Sequence, residues 1–434
     1  PEVAEVFSLL FKLGQDFLSD NWRFILFTIM VIFAAVILIA ILQIYLLSFA
    51  GAELVVGIVF GIPAIMILLG LIFLNSGGII LLIIGGVIGL IAYFFRRQLI
   101  FGAKFFEFST EVVTQNFQTL IPMIVVALIN GFMGFMYFGA ASYTYFLFYE
   151  EDSQTASNIA LSVVSLLFIV AQSMVKYFAE AVNVSIFYRW YRDIPQRAVS
   201  DGLRDVKQVK TTVLAFGALM GFVTWLRRVI REQRSKSGRG GGAAAVMMAV
   251  RSILFVSDFM LRIFEFLTYY TLPVIVIEKK SLSKSVERSG NVISHTVGKV
   301  IGGNIGMGIA SFFYNLINFF VLILVGAYFG YSYAYDQLLA GSIIDEDTAR
   351  TGLAVLMAII FLIFGFYPLS ILFTPIRTAF STILFIYFAD RQTGATPPNK
   401  ISPELQDHLN GITKNEKYMK AKNKSETKYL DVFK

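Results

Sequence analysis

Long uninterrupted apolar runs constrain this chain more strongly than any other feature of its sequence. The run from Phe24 to Ala52 contains no charged residue, and comparable runs cover residues 54–74, 77–95 and 120–148. About 20 helical residues are enough to cross the hydrocarbon core of a bilayer. The first run is too long for the core of a signal peptide, and no small-residue cleavage pattern follows it, so it is expected to stay in the mature protein. The chain is therefore predicted to cross a membrane several times.

Composition supports the same fold class. Hydrophobic residues make up 57% of the 434 residues and charged residues 15%, whereas an ordinary soluble domain carries roughly 25% charged residues. We predict an all-α, polytopic helical membrane protein with interfacial or re-entrant helices. The candidate spans are Phe24–Ala52, Leu54–Leu74, Gly77–Phe95, Leu120–Phe148, Ile159–Tyr188, Val300–Gly330 and Leu353–Ala389, with Thr211–Val223 less clear. The segment Ala243–Val276 carries four charged residues, which favours a surface or re-entrant helix packed against protein.

Several classes of function are disfavoured by what the sequence lacks. It contains no cysteine and only two histidines, His295 and His408, so we expect no disulfide, no cysteine nucleophile and no metal site. It contains no GxSxG or HExxH motif and no paired carboxylates with a suitable base in the spans. We therefore predict no catalytic residues, no cofactor and no enzyme. Basic cytoplasmic loops explain the net charge of +7 better than nucleic-acid binding does.

The distribution of charge predicts an orientation and a three-part division. Residues 188–242 hold twelve Arg or Lys against four acids, as is typical of cytoplasmic segments, whereas the acidic loops 149–153 and 343–347 are expected to face outside. The parts are a hydrophobic extension with two or three membrane segments (1–104), a core with about four transmembrane helices and cytoplasmic re-entrant or surface helices (105–390), and a basic tail (391–434). The tail is either an ordinary cytoplasmic C-terminus or a segment that binds anionic lipid or a cytoplasmic partner.

Small residues recur at helical spacing in several of these segments. Gly298, Gly302, Gly306 and Ala310 follow each other at every fourth position, which places them on one helix face where a neighbouring backbone can approach closely. Shorter pairs at similar spacing are Gly57 with Gly61, Gly85 with Gly89, and Gly131 with Gly134. The stripes predict close helix contacts either within one subunit or between subunits. The second interpretation makes the protein a homo-oligomer.

A polar row interrupts the fifth candidate span. Gln172, Lys176, Glu180 and Asn183 share one helix face, because they are spaced by four, four and three residues. Charged residues in a membrane usually face a bundle interior or a cavity, so this row could line a hydrophilic path. The alternative is a structural Lys176–Glu180 pair near the interface, with the lysine reaching towards water.

A second candidate site lies in the last hydrophobic segment, which Pro368 and Pro375 interrupt. Proline removes a backbone donor and breaks or kinks a helix. Arg377 and Thr374 beside the break could help to form an ion site or a headgroup site. The other interpretation is that the segment bends onto the cytoplasmic surface, where Arg377 touches lipid phosphate.

Three stretches together are similar to a known family. They are YFAEAVNVSIFYRW with the following DGLRDVKQVK, then LRRVIREQR, and then LPVIVIEKKSLSKSVERSGNVISHTVGKVIGGNIGMG. They resemble a family of bacterial and archaeal polytopic integral membrane proteins of unknown function, over roughly residues 105–389. The matching positions are Asn183, Asp201, Gly202, Leu203, Pro273, Glu278, Ser289 and Gly302–Gly306. The resemblance implies a fold family, with cytoplasmic elements packed under four spans, and location in the plasma membrane of a bacterium or archaeon.

Two functional hypotheses follow from the sequence. The first is a homo-oligomeric channel or transporter of unknown substrate, based on the polar row and the proline-broken last span. The second is a non-enzymatic membrane scaffold or lipid-organising oligomer, based on the glycine stripes, the interfacial helices and the basic tail. Both have membrane lipids as partners and neither involves nucleic acid.

Overall fold

A computed structural model describes residues 22–73, 76–94, 96–149, 154–195, 199–236, 244–294, 317–338 and 346–393, together with the isolated residues 308 and 315. Its helices are α1 (Trp22–Ile72), α2 (Ser76–Phe94), α3 (Arg96–Gln115), α4 (Leu120–Tyr149), α5 (Gln154–Tyr191), α6 (Val199–Gln208), α7 (Lys210–Lys236), α8 (Ala244–Leu267), α9 (Thr271–Glu278), α10 (Leu282–Ser294), α11 (317–329), α12 (Glu346–Leu372) and α13 (Thr374–Thr393). The chain divides into two compact units. Unit 1 comprises residues 1–45 and 311–373, and unit 2 comprises residues 46–310 and 374–434.

The predicted fold class is confirmed. The described residues are helical and contain no β-strand. Eight of the helical stretches are long and apolar enough to cross a membrane: Arg23–Phe49, Gly77–Phe94, Phe117–Thr144, Ala156–Tyr191, Lys210–Glu232, Leu254–Glu278, Ile317–Gln337 and Glu346–Asp390. The division into an extension, a core and a tail stays a prediction, and the tail after residue 393 lies outside the described residues.

The first helix differs from the sequence prediction. Two spans were expected, on either side of Glu53, but α1 is one continuous helix of 51 residues. A single glutamate does not end a helix, and proline, here Pro63, is tolerated where neighbouring groups satisfy the freed backbone. At 1.5 Å per residue, α1 is about 75 Å long, well beyond the thickness of a bilayer core.

Unit 1 contains α11, a π-helical segment and α12 in addition to the first part of α1. The π-helix, Gly330–Ala334, continues α11 and is followed by the short helix Tyr335–Leu338. Gly326 and Gly330 pack closely against α12, because a Cβ atom at Gly326 would lie 2.7 Å from the carbonyl oxygen of Met357 and one at Gly330 would clash with that of Leu353. Small residues therefore hold these two helices together.

Unit 2 is built around α5, which has 38 residues. Helices α4, α6, α7, α9 and α13 all pack against it. The C-terminal half of α5 contributes Ala181, Val182, Val184 and Ile186 to a buried core that α6, α7 and α9 complete. Since so many elements contact α5, the position of a residue along this helix determines which neighbours it meets.

The break at the end of α12 agrees with the position of the second proline. Helix α12 passes through Pro368 without ending, whereas Phe373 separates it from α13, in which Pro375 is the second residue. Proline is well accommodated in the first turn of a helix, where its missing N–H has no intrahelical partner. The break begins a new helix that belongs to unit 2.

Candidate functional site in unit 2

The polar row on α5 divides into two environments. Lys176 and Glu180 form an i,i+4 ion pair with 3.6 Å between Nζ and Oε1, and their side chains are 38% and 14% exposed. Gln172 is half-buried. Asn183 is fully buried, and neither polar atom of its amide has a hydrogen-bond partner among the described residues. The Lys176–Glu180 pair is thus partly exposed and can interact with other polar groups, whereas Asn183 lies within the packed core.

Three further elements bring aromatic and charged residues to Glu180. Electrostatic interactions connect Arg377 of α13 with Tyr177 and Glu180 of α5, with Glu265 of α8 and with Tyr269, which follows α8. We call these five residues the aromatic–acidic cluster. Its members lie far apart in the chain, on α5, α8 and α13 and directly after α8, and electrostatic interactions connect them.

Both tyrosines of the cluster pack against another aromatic ring. The ring of Tyr177 packs edge to face on Phe216 of α7, with 5.1 Å between centroids, and Lys176 Nζ lies 5.9 Å from the centroid of the Tyr177 ring. Tyr269 contacts Tyr270 in the same way at 5.1 Å. The hydroxyl of Tyr269 is buried without a hydrogen-bond partner among the described residues. Such rings present negative faces to a cation, and the hydroxyl can bond a solute.

An ion-pair network extends the cluster along α7 and α8. Arg227 Nη1 donates to both carboxylate oxygens of Glu265, at 2.5 and 2.6 Å, and Arg227 Nε lies 3.4 Å from Asp258 Oδ1. Asp258 also accepts from Arg262 at 3.0 Å. Three of the four charges that disfavoured a lipid-facing span for residues 243–276 are therefore in ion pairs: Asp258, Arg262 and Glu265. Pairing of this kind lowers the cost of charge in a membrane bundle.

Helix α7 runs antiparallel to α5. Cβ atoms at Gly217 and Gly221 would lie 2.8 Å and 2.7 Å from the Cα atoms of Met174 and Val170, and Trp225 Nε1 donates to the carbonyl oxygen of Ser162 at 3.2 Å. The basic C-terminal part of α7 consequently lies alongside the N-terminal half of α5. This separates it from Arg189 and Arg192, and does not fit a single cytoplasmic segment over residues 188–242.

The other predicted site residues have simpler surroundings. Arg377 is exposed, and among the described residues it forms no ion pair within 4 Å. The backbone carbonyl of Thr374 accepts a hydrogen bond from the Thr378 hydroxyl at 3.0 Å, within the first turn of α13. Of these two residues, Arg377 belongs to the aromatic–acidic cluster, and the Thr374 carbonyl is used within α13.

The glycine stripes have mixed outcomes. Gly298, Gly302, Gly306 and Ala310 lie outside the described residues. Gly85 packs against α1, since its Cβ would lie 3.0 Å from that of Met66. At Gly57, Gly61, Gly131 and Gly134, a built Cβ has no atom within 4 Å in the part of the chain that the structure describes.

The positions that carried the family resemblance make structural contacts near the C-terminal end of α5. A Cβ atom at Gly202 would lie 3.0 Å from the carbonyl oxygen of Val182. Ser289 Oγ donates to the carbonyl oxygen of Leu267 at 2.7 Å and accepts from the backbone N–H of Tyr270 at 3.1 Å. Glu278 forms ion pairs with Lys280 and Arg288. These residues of the family resemblance therefore pack helices together or stabilise the connections between them.

A further ion pair lies between α5 and α6. Arg189 Nε and Nη2 donate to the two oxygens of Asp205, at 2.8 and 3.0 Å, and Ser185 Oγ donates at 2.7 Å. Partial burial alone would raise the pKa of Asp205, but the hydrogen bonds from Arg189 and Ser185 outweigh it and lower the pKa below its ordinary value. This carboxylate is thus held in its charged form.

A comparison with known protein families identifies one that matches this chain. The model of a family described as plasma-membrane choline transporter matches residues 79–392. The chain belongs to this family. The match includes every residue of the aromatic–acidic cluster and begins before residue 105, where the resemblance was expected to start. A search among curated proteins found no match.

Family membership supports the broad sequence predictions. The chain is a polytopic membrane protein of a plasma-membrane transporter family, in line with the first hypothesis. The family description names a transporter, whereas the resemblance had suggested a family of unknown function. Origin from a bacterium or archaeon, a cytoplasmic C-terminus and homo-oligomerisation stay predictions.

Sequence reasoning found part of the cluster. Glu180 was singled out by its spacing, together with its partner Lys176 outside the cluster, and Arg377 by the nearby proline. Tyr177 and Tyr269 were missed because tyrosines are frequent in this chain, which has 20 of them. Glu265 was noticed as a charge in an apolar segment, and that signal identified a residue of the cluster without identifying its partners.

Proposed function

We propose that the chain carries choline, or a closely related quaternary ammonium compound, across the membrane. The observation that carries this proposal is the aromatic–acidic cluster, within a chain of the choline transporter family. A quaternary ammonium group offers no N–H donor, so it is recognised by the faces of aromatic rings and by nearby negative charge. Tyr177 and Tyr269 supply rings, and Glu180 and Glu265 supply carboxylates.

The two carboxylates already have internal cations as partners. Glu180 is paired with Lys176, and Glu265 is paired with Arg227. A substrate cation would therefore exchange with these side chains instead of adding to them. Lys176 is the more exchangeable partner, since it is 38% exposed and lies 3.6 Å from its acid. Such an exchange keeps the carboxylate paired both before and after the substrate arrives, which avoids an isolated charge in a membrane bundle.

Arg377 adds a positive charge to the same cluster. A transport site must bind its solute well enough to admit it and weakly enough to release it. We propose that Arg377 lowers the affinity for a cation and so favours release. A cleft of about 360 Å³ lies between α11 and α12 in unit 1, lined by apolar side chains and Thr351. It is poorly suited to a cation, because its lining has no aromatic ring and no charged side chain.

Uptake of radiolabelled choline into proteoliposomes tests the proposal. The wild-type protein should accumulate choline above protein-free liposomes, and Glu180→Gln should reduce uptake roughly tenfold, because the ring faces alone hold a cation weakly. Glu232→Gln is the matched control, since Glu232 forms an i,i+4 pair on α7 but is 57% exposed. Absence of wild-type uptake, or equal uptake by Glu180→Gln and wild type, would overturn the proposal.

The scaffold hypothesis has one supporting observation. No atom of the described residues lies within 4 Å of a Cβ built at Gly131 or Gly134 on α4, and such a small-residue face suits contact with another subunit. We propose this face as the contact of a homo-oligomer. If Gly131→Leu leaves the particle mass unaltered in mass photometry, the face is not an oligomer contact.

A further inference from the structure

A second cluster of tyrosines and acids lies in unit 1, around Arg350. The guanidinium carbon of Arg350 lies 4.4 Å from the ring centroid of Tyr335 and 5.6 Å from that of Tyr331. Arg350 Nε donates to Glu346 Oε1 at 2.9 Å, and Nη2 lies 3.5 Å from Asp336 Oδ1. The Arg350 side chain is 22% exposed. One guanidinium is thus enclosed by two rings and two carboxylates.

The backbone holds this arrangement together. Arg350 Nη1 donates to the carbonyl oxygen of Tyr331 at 3.0 Å, within the π-helical segment Gly330–Ala334. A π-helix displaces carbonyls from their usual i,i+4 partners and is frequent at functional sites. Tyr331 and Tyr335 are four residues apart, so their rings share the helix face that meets Arg350.

The chemistry of this cluster is that of an organic-cation site. Recognition of quaternary ammonium groups uses aromatic rings arranged around the cation, with negative charge nearby. The two carboxylates exceed the one guanidinium by one negative charge. Asp336 and Glu346 are 59% and 62% exposed, so a cation from solution has access to them.

The cluster lies at the ends of two candidate spans. Asp336 is close to the end of Ile317–Gln337, and Glu346 begins Glu346–Asp390. It therefore lies at a membrane surface, where a solute arrives from water. The acidic loop before Glu346 is the one for which the charge distribution predicts an outward orientation.

We propose that this cluster is a peripheral binding site for a quaternary ammonium cation, at which the guanidinium of Arg350 competes with the ligand. Tyr331 and Tyr335 provide the ring faces, and Asp336 and Glu346 provide the charge. Arg350 occupies the position of the cation and lowers the affinity. The site is separate from the aromatic–acidic cluster of unit 2, and ligand binding to it does not require transport.

Equilibrium binding of radiolabelled tetramethylammonium to the full chain in nanodiscs tests this proposal. Arg350→Gln removes the charge but keeps a donor for the Tyr331 carbonyl, and it should raise the affinity about fivefold, the scale of one cation–π contact. The gain should vanish in the double variant Arg350→Gln/Tyr335→Ala and persist in Arg350→Gln/Tyr335→Phe. Arg228→Gln is the control, because Arg228 also forms an i,i+4 pair with a glutamate but has no tyrosine partner among the described residues.

A second variant covers the case in which Arg350→Gln does not fold. Glu346 is 62% exposed, so Glu346→Gln should fold, and it should weaken tetramethylammonium binding about threefold by removing a carboxylate. Unchanged affinity in both Arg350→Gln and Glu346→Gln, or a gain that survives Tyr335→Ala, would overturn the proposal. A gain in Arg350→Gln with no choline uptake by the wild type would retain this site and reject the transport function.

Discussion

The two faces of α7 hold their neighbours in opposite ways. Towards α5, Gly217 and Gly221 bring backbones so close that a Cβ atom would lie 2.7–2.8 Å from a Cα atom. Towards α8, Arg227 bridges Asp258 and Glu265 through charged side chains. Close backbone packing has one arrangement, whereas long charged side chains can exchange partners without moving the helices. The α5–α7 contact is thus suited to be a rigid frame, and the α7–α8 contact to be its adaptable lining.

The largest effect should come from filling the backbone contact. Gly221→Leu places a side chain where the Cα atom of Val170 and the side chain of Ser173 already lie, so α7 cannot remain against α5. We expect loss of the monodisperse folded protein in detergent, measured by size-exclusion chromatography. Gly352→Leu on α12 is the control, because no atom of the described residues lies within 4 Å of a Cβ at Gly352. A folded Gly221→Leu protein with wild-type stability would show that the α5–α7 contact is not rigid.

Breaking the charged contact should have a smaller effect on stability. Arg227→Gln leaves Glu265 and Asp258 without their shared partner, and we expect a loss of about 2 kcal/mol in the free energy of unfolding, below the figure for a fully buried pair because these side chains are 14–31% exposed. Arg228→Gln, one residue away, should cost less than about 0.5 kcal/mol, since its pair with Glu232 is exposed. Denaturant titration of both variants measures the difference. If both variants lost the same free energy of unfolding, the ion pairs of Arg227 would contribute no more to stability than the exposed pair of Arg228.

The ion pair between Arg189 and Asp205 is another contact between charged side chains. Its contribution to stability can be tested by varying the pH. Because the pKa of Asp205 is lowered in the folded state, its contribution to stability is present above the unfolded pKa, roughly 3.9, and is lost as the pH falls through the folded value. Asp205→Asn should therefore cost about 1 kcal/mol at pH 7. Its midpoint of thermal unfolding should approach that of the wild type as the pH falls below 4. A difference that is the same at pH 7 and pH 3 would contradict this account.

The helices could be predicted from the sequence more readily than the contacts of α7 with α5 and with α8. Period and spacing indicated the helices, the Lys176–Glu180 neighbourhood and the proline break before α13, because all of these depend on residues close together in the chain. The Arg227–Glu265 contact joins residues 38 positions apart, so no local pattern reveals it. Gly217 and Gly221 lie within Thr211–Val223, which the sequence indicated only as a less clear span. Their contacts with Met174 and Val170 join residues more than 40 positions apart, so local hydropathy and charge could not reveal that α7 packs along α5.

The smallest predicted effect concerns Trp225, which lies on the face of α7 that packs against α5. Trp225 Nε1 donates to the carbonyl oxygen of Ser162 at 3.2 Å and to Ser165 Oγ at 3.1 Å, and both bonds are long for their type. Trp225→Phe should cost about 0.5 kcal/mol in the free energy of unfolding from the hydrogen bonds. A double-mutant cycle with Ser165→Ala isolates the part due to that hydroxyl, measured by denaturant titration. If the coupling instead approached the loss expected for Arg227→Gln, polar bonds would stabilise the α5–α7 face as much as the Arg227 ion pairs stabilise the α7–α8 face, and the contrast between the two faces of α7 would disappear.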